Sequence, residues 1–278
     1  MMKHKKVLMN VTLILLVLIL FIPKIWQIPE KEIKMEKSEI KEKIVIITVY
    51  DNYLANPELK TGWGFACWIK IGEKNILFDT GADFETLSFN TKKMGLDFKG
   101  LDIIFLSHIH GDHTGGLEGV LKEKSNLTVY IPHSFPNSIR EMISSYHSKW
   151  VDVKSSKEIS KGVFSTGELG TWIKEQSLVI NSDKGLIIIT GCAHPGIVNI
   201  VKEVKENFPE KNIYLVLGGF HLFGVSDEEL KEIVNEFKNL RVEKVAPCHC
   251  SGDRCRELFR EEYKENFIEN GVGKIIKI

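Results

Sequence analysis

Short apolar runs rich in β-branched and aromatic residues recur along this chain, each bounded by glycine, aspartate, asparagine or serine, a pattern of half-buried and buried strands. It predicts strands over Ile44–Tyr50, Gly64–Ile71, Asn75–Asp79, Ile103–Leu106, Leu127–Ile131, Ser177–Ile180, Gly185–Thr190, Ile213–Leu217, Lys244–Pro247 and Lys274–Ile278. Between them the period changes to that of helices. Ile197, Ile200, Val201, Val204 and Phe208 mark one helical face, and Leu230, Ile233, Val234, Phe237 and Leu240 mark another. Ser226-Asp227-Glu228-Glu229 precedes the second as a capping box. A further helix is expected over Gly116–Lys124, after the buried run Leu101–Ser107. Strands interleaved with helices in this order predict a mixed α/β (α+β) domain of two sheets packed between helices.

The first residues follow a different pattern. Val7–Ile22 is apolar except for Asn10 and Thr12, follows Lys3, Lys5 and Lys6, and ends at Pro23-Lys24-Ile25-Trp26. Residues 1–28 therefore read as a signal anchor or transmembrane helix that tethers the chain to a membrane, a cleaved signal peptide being the alternative. Basic residues before the apolar run place the catalytic domain outside the cytoplasm. Lys24, Lys31, Lys34 and Lys37 after it argue for the cytoplasmic orientation. Residues 29–43 alternate in charge without an apolar face and read as a linker or exposed helix, with the catalytic domain at 44–278.

Composition narrows the function. The chain carries 37 basic and 37 acidic residues, so no basic patch argues for nucleic acid as a partner. Five cysteines, Cys67, Cys192, Cys248, Cys250 and Cys255, are odd in number and irregular in spacing, and read as free thiols rather than a disulfide framework.

The chemistry concentrates in His108-Ile109-His110-Gly111-Asp112-His113, where three imidazoles and a carboxylate fall within six residues at a strand-to-helix turn. Imidazole nitrogen and carboxylate oxygen suit zinc above all, with manganese, iron or magnesium as alternatives, and the run has donors for one or two divalent ions. Four shorter motifs also stand at strand ends. Asp79, in Phe78-Asp79-Thr80-Gly81, is suited to orienting a ligating histidine from behind, or to closing a turn. His194, in Gly191-Cys192-Ala193-His194-Pro195-Gly196, is a third nitrogen to set beside His108 and His110. His221 follows Gly218-Gly219-Phe220, whose glycines allow close backbone approach; it is a candidate ligand, general acid or phosphate contact. His249, in Pro247-Cys248-His249-Cys250-Ser251-Gly252, pairs naturally with Asp112 and His113. That last motif also admits a structural zinc on Cys248, Cys250 and Cys255. A nucleophilic cysteine based on His249 is opposed by the alternation of side chains along a strand. Ser251-Gly252 before a helix at Asp253 offers N–H groups to a phosphate, and Trp63-Gly64-Phe65 offers aromatic walls for a substrate.

Taken together these motifs resemble the metallo-β-lactamase superfamily over Ile44–Ile278. Gly-Cys-Ala-His-Pro-Gly-Ile, Gly-Gly-Phe-His-Leu and Pro-Cys-His-Cys-Ser-Gly are similar to the branch named for 7,8-dihydropterin-6-yl-methyl-4-(β-D-ribofuranosyl)aminobenzene 5′-phosphate synthase of methanopterin biosynthesis. The resemblance implies an αββα sandwich with its site at the sandwich edge. It implies His108, His110 and His194 on one metal, Asp112, His113 and His249 on a second, and Asp79 behind them. Hydrolases of the superfamily commonly carry a bridging aspartate after the strand that here ends in Gly218-Gly219-Phe220; no aspartate stands there, and His221 is the nearest substitute. The implied function is a metal-dependent enzyme acting on a small phosphorylated substrate, in which an aminobenzene nucleophile displaces diphosphate, with Asp112 and His221 as catalytic groups. The alternatives are a hydrolase of a phosphate ester, lactone or thioester, and a membrane-tethered metal-binding module without turnover.

Overall fold

A computed structural model describes residues Ser38–Ile278. The anchor expected over residues 1–28 lies outside the described residues, among which no helix is long and apolar enough to cross a membrane.

The strands are β1 (Ile44–Tyr50), β2 (Ala66–Ile71), β3 (Lys74–Phe78), β4 (Ile103–Phe105), β5 (Thr128–Pro132), β6 (Lys149–Val153), β7 (Ser155–Ser160), β8 (Val163–Gly167), β9 (Leu178–Ser182), β10 (Gly185–Thr190), β11 (Ile213–Gly219), β12 (Val242–Cys248) and β13 (Ile275–Lys277). They form a seven-stranded sheet in the order β13-β1-β2-β3-β4-β5-β6 and a six-stranded sheet in the order β12-β11-β10-β9-β8-β7. The helices are α1 (Phe84–Lys93), the single turn α2 (Gly111–Thr114), α3 (Leu117–Glu123), α4 (Asn137–Ser145), α5 (Ile197–Asn207), α6 (Asp227–Asn239) and α7 (Asp253–Tyr263).

Side-chain alternation sorts these elements into four layers. In β10, Ile187 and Ile189 pack with Phe78, Phe105 and Leu215 between the sheets. Their neighbours Leu186 and Ile188 pack instead with Ile200, Val204, Val234 and Phe237 of α5 and α6. On the other side Trp68, Leu77, Ile104 and Val129 meet Leu87 of α1, Val120 of α3 and Ile143 of α4. Each fully buried isoleucine or leucine contributes about 1.5–3 kcal/mol, and a shift of one residue in any central strand would exchange the two faces. The expected αββα sandwich is therefore present.

Topology positions the site. β3, β4, β5 and β6 run parallel, as do β10, β11 and β12. Phe78 lies opposite Phe105, so the chain leaves β3 and β4 at one level. Thr190 lies opposite Gly218, and Gly218 opposite Pro247. The carboxyl ends of parallel strands from both sheets thus open on one rim, where ligands of α/β proteins bind.

Two expectations need correction and a third holds. The domain does not start at Ile44: Ile40 is 2% exposed, its N–H donates to the Asn181 carbonyl at 2.8 Å, and it pairs with Ser182. A single apolar residue in a charged run has no period to betray it. Strands β6, β7 and β8 and helices α1 and α4 were not expected; β6 and β7 escape because Lys149–Ser160 is polar and partly exposed at the sheet edges. The helix expected over Gly116–Lys124 is α3, and α2 before it carries Asp112 and His113.

Asp83 caps α1: its carboxylate accepts from the Thr86 N–H and from the Tyr50 hydroxyl, each at 2.7 Å. Burial raises its pKa, but these bonds outweigh that and hold the carboxyl below its ordinary range. A folded-state pKa below the unfolded one stabilises above about pH 4 and is lost as pH falls through the folded value. Asp83→Ala is expected to cost about 1–2 kcal/mol at neutral pH, with the gap to the parent narrowing in acid. Urea denaturation at both pH values checks this; an undiminished gap in acid would contradict it.

Candidate metal centre

Six of the sequence-derived ligands come from three strand ends and collect at the rim in two nests. His108 follows β4, His110 precedes α2, and His194 follows β10. His108 Nε2 lies 3.1 Å from His110 Nδ1, and His194 Nε2 lies 3.2 Å from the same atom. In the second nest His113 Nε2 stands 3.3 Å from His249 Nε2, and Asp112 Oδ2 is 3.6 Å from the first and 3.4 Å from the second. Donors at the corners of a tetrahedron about 2.0–2.3 Å from a zinc ion are about 3.3–3.8 Å apart. The second nest has that spacing, and the first is tighter by a few tenths of an ångström.

Hydrogen bonds behind the rings decide which nitrogens face inward. Asp79, buried, accepts from the Ser107 N–H and from the Ser107 hydroxyl, each at 2.7 Å. His113 Nδ1 lies 2.7 Å from the same carboxylate, so Nδ1 carries the proton and Nε2 presents a lone pair. Ser107 Oγ, its proton given to Asp79, accepts from His108 Nδ1 at 2.9 Å. His249 Nδ1 donates to Asn52 Oδ1 at 3.1 Å. Two lone pairs facing each other across 3.3 Å, as on His113 and His249, repel unless a cation lies between them. The donor set therefore fits a divalent ion in each nest, and Asp79 serves both.

Electrostatics agree for three of the donors, while His113, although buried, is held above its usual pKa by the Asp79 carboxylate. Burial, then the neighbouring imidazoles, hold His108 well below its usual pKa. Burial and His221 lower His194 to about 4. Burial opposes ionisation of Asp112, but the neighbouring His249 and His113 bring it down to about 2. Neutral imidazoles and an ionised carboxylate are the forms that bind a metal.

Sequence reasoning missed two residues. Glu175, 1% exposed, accepts backbone N–H bonds from Gly191, Cys192 and Ala193 on one oxygen, at 3.1, 3.0 and 2.9 Å. Its other oxygen accepts from His194 at 2.8 Å. One carboxylate thus shapes the loop that delivers His194. Ala193 sits in the left-handed region at φ 63°, and a side chain on Gly191 would meet Ser107 Oγ at 2.1 Å. The second is Cys192, whose Sγ lies 3.2 Å from His113 Nε2 and 3.4 Å from His249 Nε2. Nothing local in sequence marks Glu175, and Cys192 read as one more structural thiol.

Other expectations are revised. His221 does not join Asp112, His113 and His249; it groups with Cys192 and Cys250, its ring 4.4 Å from that of His194. Cys250 therefore lies with those residues rather than forming a zinc site with Cys248 and Cys255. His249–Ser251 is a 3-10 turn rather than a strand end. All five cysteines are free, as expected. The Ser251 hydroxyl accepts from the Phe220 N–H and donates to the Cys248 carbonyl, so that side chain is part of the scaffold. Trp63 is 58% exposed with its ring 5.2 Å from that of His249, whereas Phe65 is core. A cavity of about 460 Å³ opens beside His194, lined also by Leu169, Thr171, Asn199 and Glu203.

Two sheets lie between helices, and histidines and an aspartate converge at one rim of this sandwich. Residues 64–208 match the model of the metallo-β-lactamase superfamily, and the chain belongs to that superfamily. It is 32% identical over 249 residues to the 7,8-dihydropterin-6-methyl-4-(β-D-ribofuranosyl)-aminobenzene-5′-phosphate synthase of Methanocaldococcus jannaschii, covering 74% of this chain and 85% of that protein. It is 34% identical over 248 residues to an uncharacterized protein of the same archaeon, covering 77% of this chain and 93% of the relative. Among solved structures, a metal-dependent hydrolase of the β-lactamase superfamily superimposes with a TM-score of 0.70 at 28% identity, over 84% of this chain and 99% of its own. The fold implies a divalent metal, and the nests supply His, Asp and Cys donors for it.

Glu175→Gln leaves the loop one acceptor oxygen and no charge where four N–H groups converge. It is expected to lower the stability of the metal-free protein by about 2–3 kcal/mol and to weaken metal binding about 10–100-fold. Thermal unfolding and metal titration check the two effects.

Proposed function

We propose that this chain is a metal-dependent enzyme acting on a small phosphorylated substrate, in a displacement of diphosphate of the kind inferred for the synthase branch. The observation that carries the reading is the convergence of His108, His110 and His194 beside the cavity, in a chain that matches 85% of the synthase's length. His108, His110 and His194 would hold one ion, and Asp112, His113 and His249 a second. Bound there, divalent ions would supply Lewis acidity for phosphate oxygens and neutralise the leaving diphosphate. The named cavity lining has no lysine or arginine and includes Glu203, so a polyanionic group there needs that positive charge.

The chain's own residues do the rest. Asp79 and Ser107 fix the rings of His113 and His108, which keeps the donors arranged before substrate arrives. His221, exposed and against His194, is placed to hydrogen-bond or protonate the leaving group. Asp112 helps to hold and orient what binds between the nests. Trp63, Trp172 and Phe223 are 58%, 96% and 78% exposed and stand in segments that carry or flank the site, where flat apolar faces suit an aromatic ring system.

A second reading has its own support: the structural neighbour at 28% identity is described as a metal-dependent hydrolase. Phosphorus NMR on the full chain with divalent metal, a dihydropterin diphosphate and a ribofuranosylaminobenzene phosphate separates the two. Diphosphate released only when both substrates are present is the expected result. Phosphate or diphosphate released from either substrate alone means a hydrolase. No release from metal-loaded protein would sink the phosphorylated-substrate reading. His110→Ala is expected to abolish activity under either reading, and an unimpaired variant would refute both.

A further inference from the structure

Superfamily hydrolases commonly fill the second metal position with an aspartate after the strand equivalent to β11. Here that strand ends in Gly218-Gly219, Phe220 packs into the core at 1% exposure, and His221 does not reach the second nest. A different atom does. Cys192 Sγ stands 3.2 Å from His113 Nε2 and 3.4 Å from His249 Nε2, and it closes a group of four with Asp112. Three further separations, 3.3, 3.4 and 3.6 Å, suit a tetrahedral site, and Asp112 lies within 4.8 Å of Cys192.

We propose that Cys192 is a thiolate ligand of the second ion, the fourth protein donor beside Asp112, His113 and His249. The second nest is then closed by protein atoms, and only the three-imidazole nest keeps a position open for substrate. This inference rests on reading the cluster as a metal centre. On binding, the Cys192 S–H bond gives its proton to solvent and the sulfur lone pair takes its place on the ion.

The scaffold holds the sulfur at that point. Glu175 accepts from the N–H groups on both sides of Cys192 and from its own. Gly219 makes room for the loop: a Cβ there would lie 2.4 Å from the Gly191 carbonyl and 2.7 Å from Cys250 Sγ. The glycine pair that ends β11 thus removes the usual position for a carboxylate and admits the cysteine loop in one step. A competing arrangement shares the same sulfur, a trio of Cys192, His221 and Cys250. It offers three donors rather than four, and Cys250 Sγ is directed at the Cys192 carbonyl at 3.6 Å.

Cobalt(II) substitution of the full chain tests the assignment. The expected result is a sulfur-to-cobalt charge-transfer band in the near ultraviolet that persists in Cys250→Ser and disappears in Cys192→Asp, a variant that keeps a donor in place and still binds two ions. A band that survives in Cys192→Asp and vanishes in Cys250→Ser would move the thiolate to the competing trio and overturn the proposal. Should the variants fail to fold, zinc-edge X-ray absorption on the parent protein decides. One sulfur per two zinc ions at about 2.3 Å supports the thiolate, and the absence of a sulfur shell overturns it. Two bound ions without sulfur contact would remove Cys192 alone. Protein that binds no cobalt would overturn both this assignment and the metal-dependent function.

Discussion

Two buried carboxylates, neither on an ion itself, hold the rim of this molecule together. Asp79 gathers the Ser107 N–H, the Ser107 hydroxyl and His113 Nδ1, and through Ser107 it also sets His108. Glu175 gathers four successive N–H groups of the loop after β10. Burial pushes the Glu175 carboxyl up, while its N–H partners and His113 favour the ionised form. A buried charge is tolerable only with such company. On each sheet the strand ends and the loops after them are thereby fixed by directed bonds rather than by apolar packing, which has no direction.

That arrangement explains why the site sits where it does. Parallel strands bring their carboxyl ends to one level, and the chain must turn there. The turns carry unusual backbone: Asp79, Ala193, His221 and His249 all adopt left-handed φ between 53° and 63° or, for His249, 50°. Each such residue costs about 1–2 kcal/mol, offset by the hydrogen bonds that surround it. Four of the residues that shape or line the nests thus owe their direction to strained turns that a regular strand or helix would not provide.

The two nests differ in kind. Three imidazoles beside a cavity form an open set, suited to exchange of a substrate oxygen. Asp112, His113 and His249, with Cys192 against them, form an enclosed one; Cys192 and His249 are 4% and 1% exposed. An enclosed ion serves as fixed charge and an open one as a binding position, which suits displacement of an anionic leaving group better than two equivalent ions would.

The apolar runs of β1, β10 and β11, the helical periods of α5 and α6, and the spacing of His108, His110, Asp112 and His113 were legible because each is a local pattern. The order of layers followed, as did the assignment of His194 and His249 to the rim, since each stands just past an apolar strand. What the sequence could not carry was anything that depends on non-local register. Ile40 gains its place only from partners far along the chain, and the polar edge strands β6 and β7 have no apolar pattern of their own. Glu175 is an ordinary glutamate until four N–H groups 16 to 19 residues later close on it. His221, two residues beyond Gly219, was assigned by position along the chain, yet tertiary packing turned it to His194 and brought Cys192 to the corner it was expected to fill. Local chemistry named the donors; which atoms share an ion depended on how two sheets meet, because distances of 3 to 4 Å are set by the packing of both.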